Sequence, residues 1–341
     1  MTAPAPDPVV TQETGPVTGP GTRRRPKVVS LGGGHGLWAI LRALRLLDAD
    51  ITAIVTVADD GGSSGRLRRE FPLTVPPGDL RMALGALSPD DENGSLWGRA
   101  FQHRFAGHGV LAGHPIGNLL LVGLAELTGD PVKALDAAAE LLHCDGRVLP
   151  MSCQPLQIVA DVTGLDVDPS ALRRIRGQVA VASTPGRVVN ITVEPVDAPA
   201  CPEALKAIAE ADLITLGPGS WLTSVLPHLL LPDLRDAIAA SSAHIMVVLN
   251  LEPQPGETDG FSPEQHLEVL SAHAPHCRID TVLADEGSVI LPQRLASAAG
   301  RIGAELLLAS VADPQGAPRH DPEALARVLG PVVERLGRGD R

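Results

Sequence analysis

From residue 27 onward, apolar and polar positions follow two alternating periods. Lys27–Leu31 is a short β-branched run ending in Gly32-Gly33-Gly34-His35-Gly36. Leu37, Ile40, Leu41, Leu44 and Leu47 then recur at helical spacing, which predicts an amphipathic helix. Ile51–Val57 is apolar enough for a strand buried on both faces, so the opening reads as a right-handed βαβ unit. The stretch from Asp79 to Leu149 reads mostly as helix, with clear periodicity over Asn118–Leu127 and Pro131–Leu142. Between about 158 and 196, the runs VADVTG, QVAVAS and VVNITVEP predict a smaller strand-rich excursion. Helix over Pro202–Ala211, strand at Leu213–Leu216, a turn into helix over Ser220–Leu230 and strand at Ile245–Leu251 resume the alternation. Thr281–Leu283 predicts a last strand and Pro322–Leu336 a closing helix. The expected fold is a Rossmann-like, doubly wound, mostly parallel sheet with helices on both faces, one α/β domain over 26–341.

Residues 1–25 differ. Pro4, Pro6, Pro8, Pro16 and Pro20 stand among Thr, Gly and Ala without apolar period, which predicts a disordered tail. Arg23, Arg24 and Arg25 follow at its junction and read as a solvated flank, with an anionic or protein partner as the alternative.

Composition narrows the functions. Acidic residues outnumber basic ones, 40 to 28, and aromatics are only 2%, which argues against a nucleic-acid surface or a stacking platform. Of the basic residues 25 are Arg and 3 are Lys, a bias that fits a G+C-rich coding sequence and, second, fork-shaped phosphate donors. Cys144, Cys153, Cys201 and Cys277 are scattered, so buried free thiols are expected rather than disulfides or a zinc ribbon. No apolar run reaches the length of a membrane span and no secretory signal is evident, so the expected location is the cytoplasm.

Ligands of such sheets bind beyond the carboxyl ends of the strands, and polar turns gather there. Gly33, Gly34, His35 and Gly36 precede a helix start and suit a phosphate, although they form neither the dinucleotide fingerprint nor a P-loop. Asp59 and Asp60 suit ribose hydroxyls or a metal, and Ser63, Ser64, Gly65 and Arg66 suit an anion. Gly61-Gly62-Ser63-Ser64-Gly65 also fits G-x-S-x-G, so a serine hydrolase and a plain surface loop both stay open. Gly78, Asp79 and Arg81 open a helix, where Asp79 is either a ligand residue or an N-cap. Gly217, Gly219, Ser220 and Thr223 form another cradle after a strand, and Asn250 with Gly256-Glu257-Thr258-Asp259 is placed at the mouth. His114, beside Gly117 and Asn118, is a candidate hydrogen-bond donor or general acid; His103, His108 and His114 lack zinc-site spacing.

These blocks, with Gly146-Arg147-Val148-Leu149-Pro150 and Leu216-Gly217-Pro218-Gly219-Ser220, resemble the YvcK group, also called gluconeogenesis factor or UPF0052 proteins, within the CofD-like superfamily. His35 stands where that group usually has Thr, Met82 where it has Asn, Trp221-Leu222 where it has Leu-Tyr, and Glu252-Pro253 where it has Met-Thr. The resemblance implies a cytoplasmic protein that binds UDP-sugars, chiefly UDP-N-acetylglucosamine. It further implies support of cell-wall synthesis and cell shape on gluconeogenic carbon sources, and with that a protein target in cell-wall precursor metabolism; a homo-oligomer is a separate expectation, which outward-facing apolar helices would favour. No catalytic residue and no firm cofactor follow from it. The alternative is a CofD-like transferase that moves a phospholactyl group onto a deazaflavin, with Mg²⁺ held by Asp59 and Asp60.

Overall fold

The computed structural model of the protein describes residues 24–72, 75–90, 92–254, 257–258 and 260–339. Most of the expected tail, with Arg23, and both Gly256 and Asp259 lie outside the described residues. Ten strands are seen among those described: β1 (Lys27–Gly32), β2 (Asp50–Val55), β3 (Arg147–Pro150), β4 (Gln157–Thr163), β5 (Arg173–Arg176), β6 (Arg187–Glu194), β7 (Leu213–Leu216), β8 (His244–Val248), β9 (Thr281–Asp285) and β10 (Glu305–Ala309). The first helices are α1 (Gly34–Leu44), α2 (Gly62–Glu70), α3 (Pro77–Leu87), α4 (Glu92–Gln102), α5 (Ile116–Thr128), α6 (Pro131–Leu141) and α7 (Gln178–Ala182). After them come α8 (Pro202–Glu210), α9 (Pro227–Leu230), α10 (Pro232–Ala240), α11 (Pro263–His273), α12 (Pro292–Arg301) and α13 (Pro322–Gly337).

Seven strands form one parallel sheet in the order β10-β9-β8-β7-β1-β2-β3. The chain builds outward from β1 to β3, then returns to the other side of β1 with β7. The topological switch point therefore lies between β1 and β7. Gly32 pairs with Val55, Leu31 with Leu216 and Leu216 with Val247, so these strands end level and deliver their following loops to one edge. Both faces of the central strands are covered: β7 and β9 are buried along their whole length. The predicted α1 stripe is the buried one, with Leu37, Ile40, Leu41 and Leu44 at 1% exposure or less.

Local chemistry sets the helix ends. Asp130 caps α6, its side chain accepting from Val132 N–H at 2.8 Å, with Pro131 in the first turn. Gly129 ends α5 in the left-handed region that glycine adopts without strain. Ser262 and Gln265 form a reciprocal capping box on α11.

The strand-rich excursion is a separate antiparallel sheet, β5-β4-β6, with a register shift at Asp161/Val162. The run QVAVAS is not a strand but α7. Gly177, at φ 101°, turns the chain into it, and the Asp60 carboxylate accepts Val179 N–H at its first turn. A five-residue apolar run carries no period long enough to tell helix from strand. Arg147–Pro150, expected within a helical stretch, is the edge strand β3, and the Gly62–Glu70 segment is helix rather than loop.

Arg24 and Arg25 are solvent-exposed, as a flank is, but both are also tied to the body of the protein. Arg24 forms two hydrogen bonds to the buried Asp212 carboxylate, at 2.5 and 2.6 Å. Arg25 reaches Ala49 O at 2.7 Å and pairs with Asp48 and Asp50. Among the described residues, no helix is long and apolar enough to cross a membrane.

Candidate functional site

At the switch point the loops after β1 and β7 touch. A Cβ on Gly36 would overlap the Pro218 carbonyl, and one on Gly219 would lie 3.5 Å from Gly33 O. Gly217 is at φ 73°, and its Cα faces the Val248 carbonyl too closely for a side chain. Asn250 clasps the second loop from both sides: its Oδ1 accepts Gly219 N–H and its Nδ2 donates to Gly219 O, each at 2.8 Å. Gly33, Gly34, Gly36, Gly217, Gly219, Ser220 and Asn250 are thereby brought together.

Asp79 comes from the start of α3 to the start of α1. Its carboxylate accepts the Gly34 N–H and lies against Gly33, beside Thr56, whose buried hydroxyl has no partner. Asp59 lies next to it. Gly61 N–H donates to Asp59 Oδ1 at 2.9 Å, Ser64 donates to the same carboxylate, and Gly78 has no room for a side chain between Asp59 and Ser64. Ser64 Oγ in turn accepts Gly78 N–H at 3.1 Å. Burial first, and Asp59 second, push Asp79 up to about 7, and burial raises Asp59 as well.

Asp60 is turned the other way. Its Oδ1 accepts Val179 N–H at 3.0 Å and its Oδ2 lies against Gly177, so it ties the small sheet's helix to the cleft. The acidic pair at the centre is thus Asp59 with Asp79, where adjacency in sequence suggested Asp59 with Asp60. Among the described residues, no three His, Cys, Asp or Glu side chains gather as a metal-holding group.

Behind this pair runs a buried polar chain. Ser63 Oγ and His114 Nδ1 are 2.7 Å apart, Asn118 Nδ2 donates to Ser63 Oγ at 3.0 Å, and Arg81 Nε donates to Asn118 Oδ1 at 2.9 Å. Because Asn118 fills one acceptor site of Ser63, the hydroxyl proton is free to go to His114 Nδ1. Burial lowers His114, and burial followed by Arg104 lowers Arg81 to about 10, which leaves the guanidinium charged at neutral pH. A Ser–His contact is therefore present, yet the hydrolase elbow is not. The strand ends at Val55, and residues 56–61 separate it from the helix that carries Ser63.

Other expected site residues have different work. Arg66 donates to the carbonyls of Val110 and Ala112, fixing the loop before α5. Gly65 allows the Asp60 carbonyl to approach, and Gly117 leaves space for Phe101 of α4. Ser220 Oγ donates to the Glu257 carboxylate at 2.5 Å, Thr223 Oγ1 at 2.8 Å and Leu222 N–H at 3.3 Å. The start of α1 and that of the short helical turn at Trp221–Val225, both expected to receive an anion, thus already hold carboxylates of the chain itself, Asp79 and Glu257.

One flank of the cleft was missed from sequence. A cavity of about 320 Å³ opens beside the exposed His35, bounded by Gly219, Asn250, Glu252, Arg319 and His320. His320 is 7% exposed, its Nε2 has no partner, and burial pulls it down to about 4. The signal for Arg319 and His320 is an Arg-His-Asp triplet immediately before a helix-opening proline, with no glycine pattern to mark it. Trp221, standing where the resemblance expects Leu, is fully buried and packs edge-on against His266.

Fold and site together define a doubly wound α/β protein with a polar cleft at its switch point. Residues 28–303 match the family model described as 2-phospho-L-lactate transferase CofD, and the chain belongs to the CofD family. A Mycobacterium tuberculosis (strain H37Rv) relative is 54% identical over 311 residues, covering 90% of each chain. The protein named gluconeogenesis factor from Listeria monocytogenes is 40% identical over 265 residues, covering 78% of this chain and 79% of that one. A crystal structure of a UPF0052 family member from Bacillus halodurans superimposes with a TM-score of 0.80 at 34% identity, covering 90% of this chain and 99% of the other. The resemblance drawn from the glycine-rich blocks and the expected α/β fold are both borne out.

Proposed function

We propose that this protein binds a UDP-sugar, UDP-N-acetylglucosamine, in the switch-point cleft and acts as a regulator without turning its ligand over. In this reading it works in the cytoplasm and supports cell-wall synthesis and cell shape during gluconeogenic growth, through a protein target in cell-wall precursor metabolism. The observation that carries the reading is the meeting of the Gly33–Gly36 and Gly217–Ser220 backbones at one point. Close-set glycines leave room for a diphosphate to approach the backbone. In this reading Asp59 and Asp79 accept ribose or sugar hydroxyls, and the cavity between His35 and His320 takes the rest of the ligand. The name gluconeogenesis factor carried by the Listeria relative supports the gluconeogenic part of this reading. The test is recovery of the ligand after incubation with stoichiometric protein. Saturable binding with the nucleotide sugar unchanged by mass spectrometry supports the reading, and binding of no nucleotide sugar at millimolar concentration removes it.

A second reading rests on the Asp59–Asp79 pair, two adjacent carboxylates whose mutual repulsion a divalent cation would relieve. In a CofD-like transferase these two residues would hold Mg²⁺, which would neutralise charge on a transferred phosphoryl group. Mg²⁺-dependent loss of a guanylyl donor together with a deazaflavin acceptor supports this reading, and absence of product excludes it.

A further inference from the structure

The four cysteines do not all stand apart. Residues 151–153 leave β3, and residues 199–201 bring the chain back to the main sheet. The two strands of this neck are tied by Cys201 N–H to Met151 O at 3.1 Å and by Ser152 Oγ to Pro199 O at 2.7 Å. Cys153 and Cys201 lie on its two strands, close enough that each thiol perturbs the other's titration. Everything between them, β4 to β6 with α7, is the small lobe whose Val179 N–H holds Asp60 at the cleft.

We propose that Cys153 and Cys201 are a reversible thiol–disulfide modification site that staples the neck of this lobe, with a low-molecular-weight disulfide as oxidant. The two thiols differ in the way such exchange requires. Cys153 is half-buried and meets solvent, while Cys201 is fully buried, and its single thiol proton has two acceptors in reach, the Cys153 sulfur and Glu203 Oε2 at 3.3 Å. Cys153 is the one held below the ordinary thiol range, by its hydrogen bond with Cys201, and Cys201 is raised.

Cys153 Sγ, as thiolate, attacks one sulfur of the small disulfide, and the other sulfur leaves as a thiolate. Cys201 Sγ then attacks the Cys153 sulfur of the mixed disulfide and expels the second small thiolate, its proton passing by way of the Glu203 carboxylate to solvent. The chain loses two electrons and two protons, and the small disulfide is reduced to two thiols. Cys144 and Cys277 stay out of this chemistry: their thiols donate to the carbonyls of Leu84 and Arg235, and burial raises both, Cys144 to about 12.

The test treats the full chain with excess oxidised glutathione, denatures it and counts free thiols, then maps peptides without reduction. The expected result is a fall from four thiols to two, a Cys153–Cys201 linked peptide in the monomer, and full recovery with dithiothreitol. C153S, at the half-buried position, is expected to form no internal disulfide. Retention of all four thiols, linkage through Cys144 or Cys277, or cross-linking between chains would overturn the proposal.

Discussion

Gly36 sits against the carbonyl of Pro218, with no space for even a methyl group between the loops that follow β1 and β7. The contact brings together two backbones that are 182 residues apart in sequence, and it sets the width of the cleft. Gly36→Ala is expected to destabilise the chain by about 1–3 kcal/mol through overpacking, and to weaken nucleotide-sugar binding further by parting the loops. Gly123→Ala in α5, where the new methyl meets nothing, is the control. It should leave stability unchanged or raise it by up to ~1 kcal/mol. Urea unfolding of the two variants decides this.

Asp79 titrates near 7 instead of the ordinary 3.8, because folding buries it beside Asp59. Between those two values the folded chain keeps a proton that the unfolded chain has released. This group's contribution to stability is therefore full below 3.8 and is lost as pH rises to about 7. Asp79→Asn, which keeps an acceptor for Gly34 N–H, should raise stability at pH 8 by roughly 1–3 kcal/mol and change little at pH 4. Equal effects at the two values would place the charge elsewhere.

The same proton bears on ligand binding. A diphosphate beside Gly34 meets a carboxylate above pH 7 and a neutral carboxyl below it. Affinity is expected to fall between pH 6 and pH 8, with proton uptake on binding visible as a buffer-dependent heat in calorimetry. Affinity independent of both pH and buffer would show that the phosphates do not sit beside Asp79.

Ser63, His114, Asn118 and Arg81 form one buried network rather than a nucleophile and its base. Ser63→Ala leaves Asn118 Nδ2 and His114 Nδ1 each without a partner, and should cost about 1–3 kcal/mol. A serine-directed fluorophosphonate should leave Ser63 unlabelled, since its helix follows no strand elbow. Stoichiometric labelling at Ser63 would restore the hydrolase reading.

Arg24→Ala removes both hydrogen bonds that Arg24 gives the Asp212 carboxylate, although Lys27 N–H still reaches it at 2.9 Å. A loss of about 1 kcal/mol is expected, discounted for the exposure of Arg24. Thermal unfolding at low and high salt tests this, the loss shrinking as salt rises.

The parts of this fold that were legible in sequence are those written locally. The stripe from Leu37 to Leu44 and the apolar run of β2 each state their element within one window, and the glycines at 32–36 and 217–219 mark the cleft's floor. What was not legible depends on distant placement. Asp79 meets Asp59 because α3 packs back on α1, which nothing near either residue announces. Glu257 reaches Ser220 and Thr223 across 37 and 34 residues. α2 hides in a Gly-Ser-Ser-Gly stretch of low apolarity, and β10, only half-buried, carries no clean alternation. Cys153 and Cys201 looked scattered because 47 residues of lobe leave and return between them.

The central claim is that the switch-point cleft is a nucleotide-sugar site, and isothermal titration with UDP-N-acetylglucosamine tests it most directly. GDP and NAD serve as comparators, each with and without Mg²⁺, on the wild-type chain and on Gly36→Ala. The account predicts selective, Mg²⁺-independent binding of the UDP-sugar that Gly36→Ala weakens. Preference for GDP that requires Mg²⁺, or binding that Gly36→Ala leaves untouched, would contradict it.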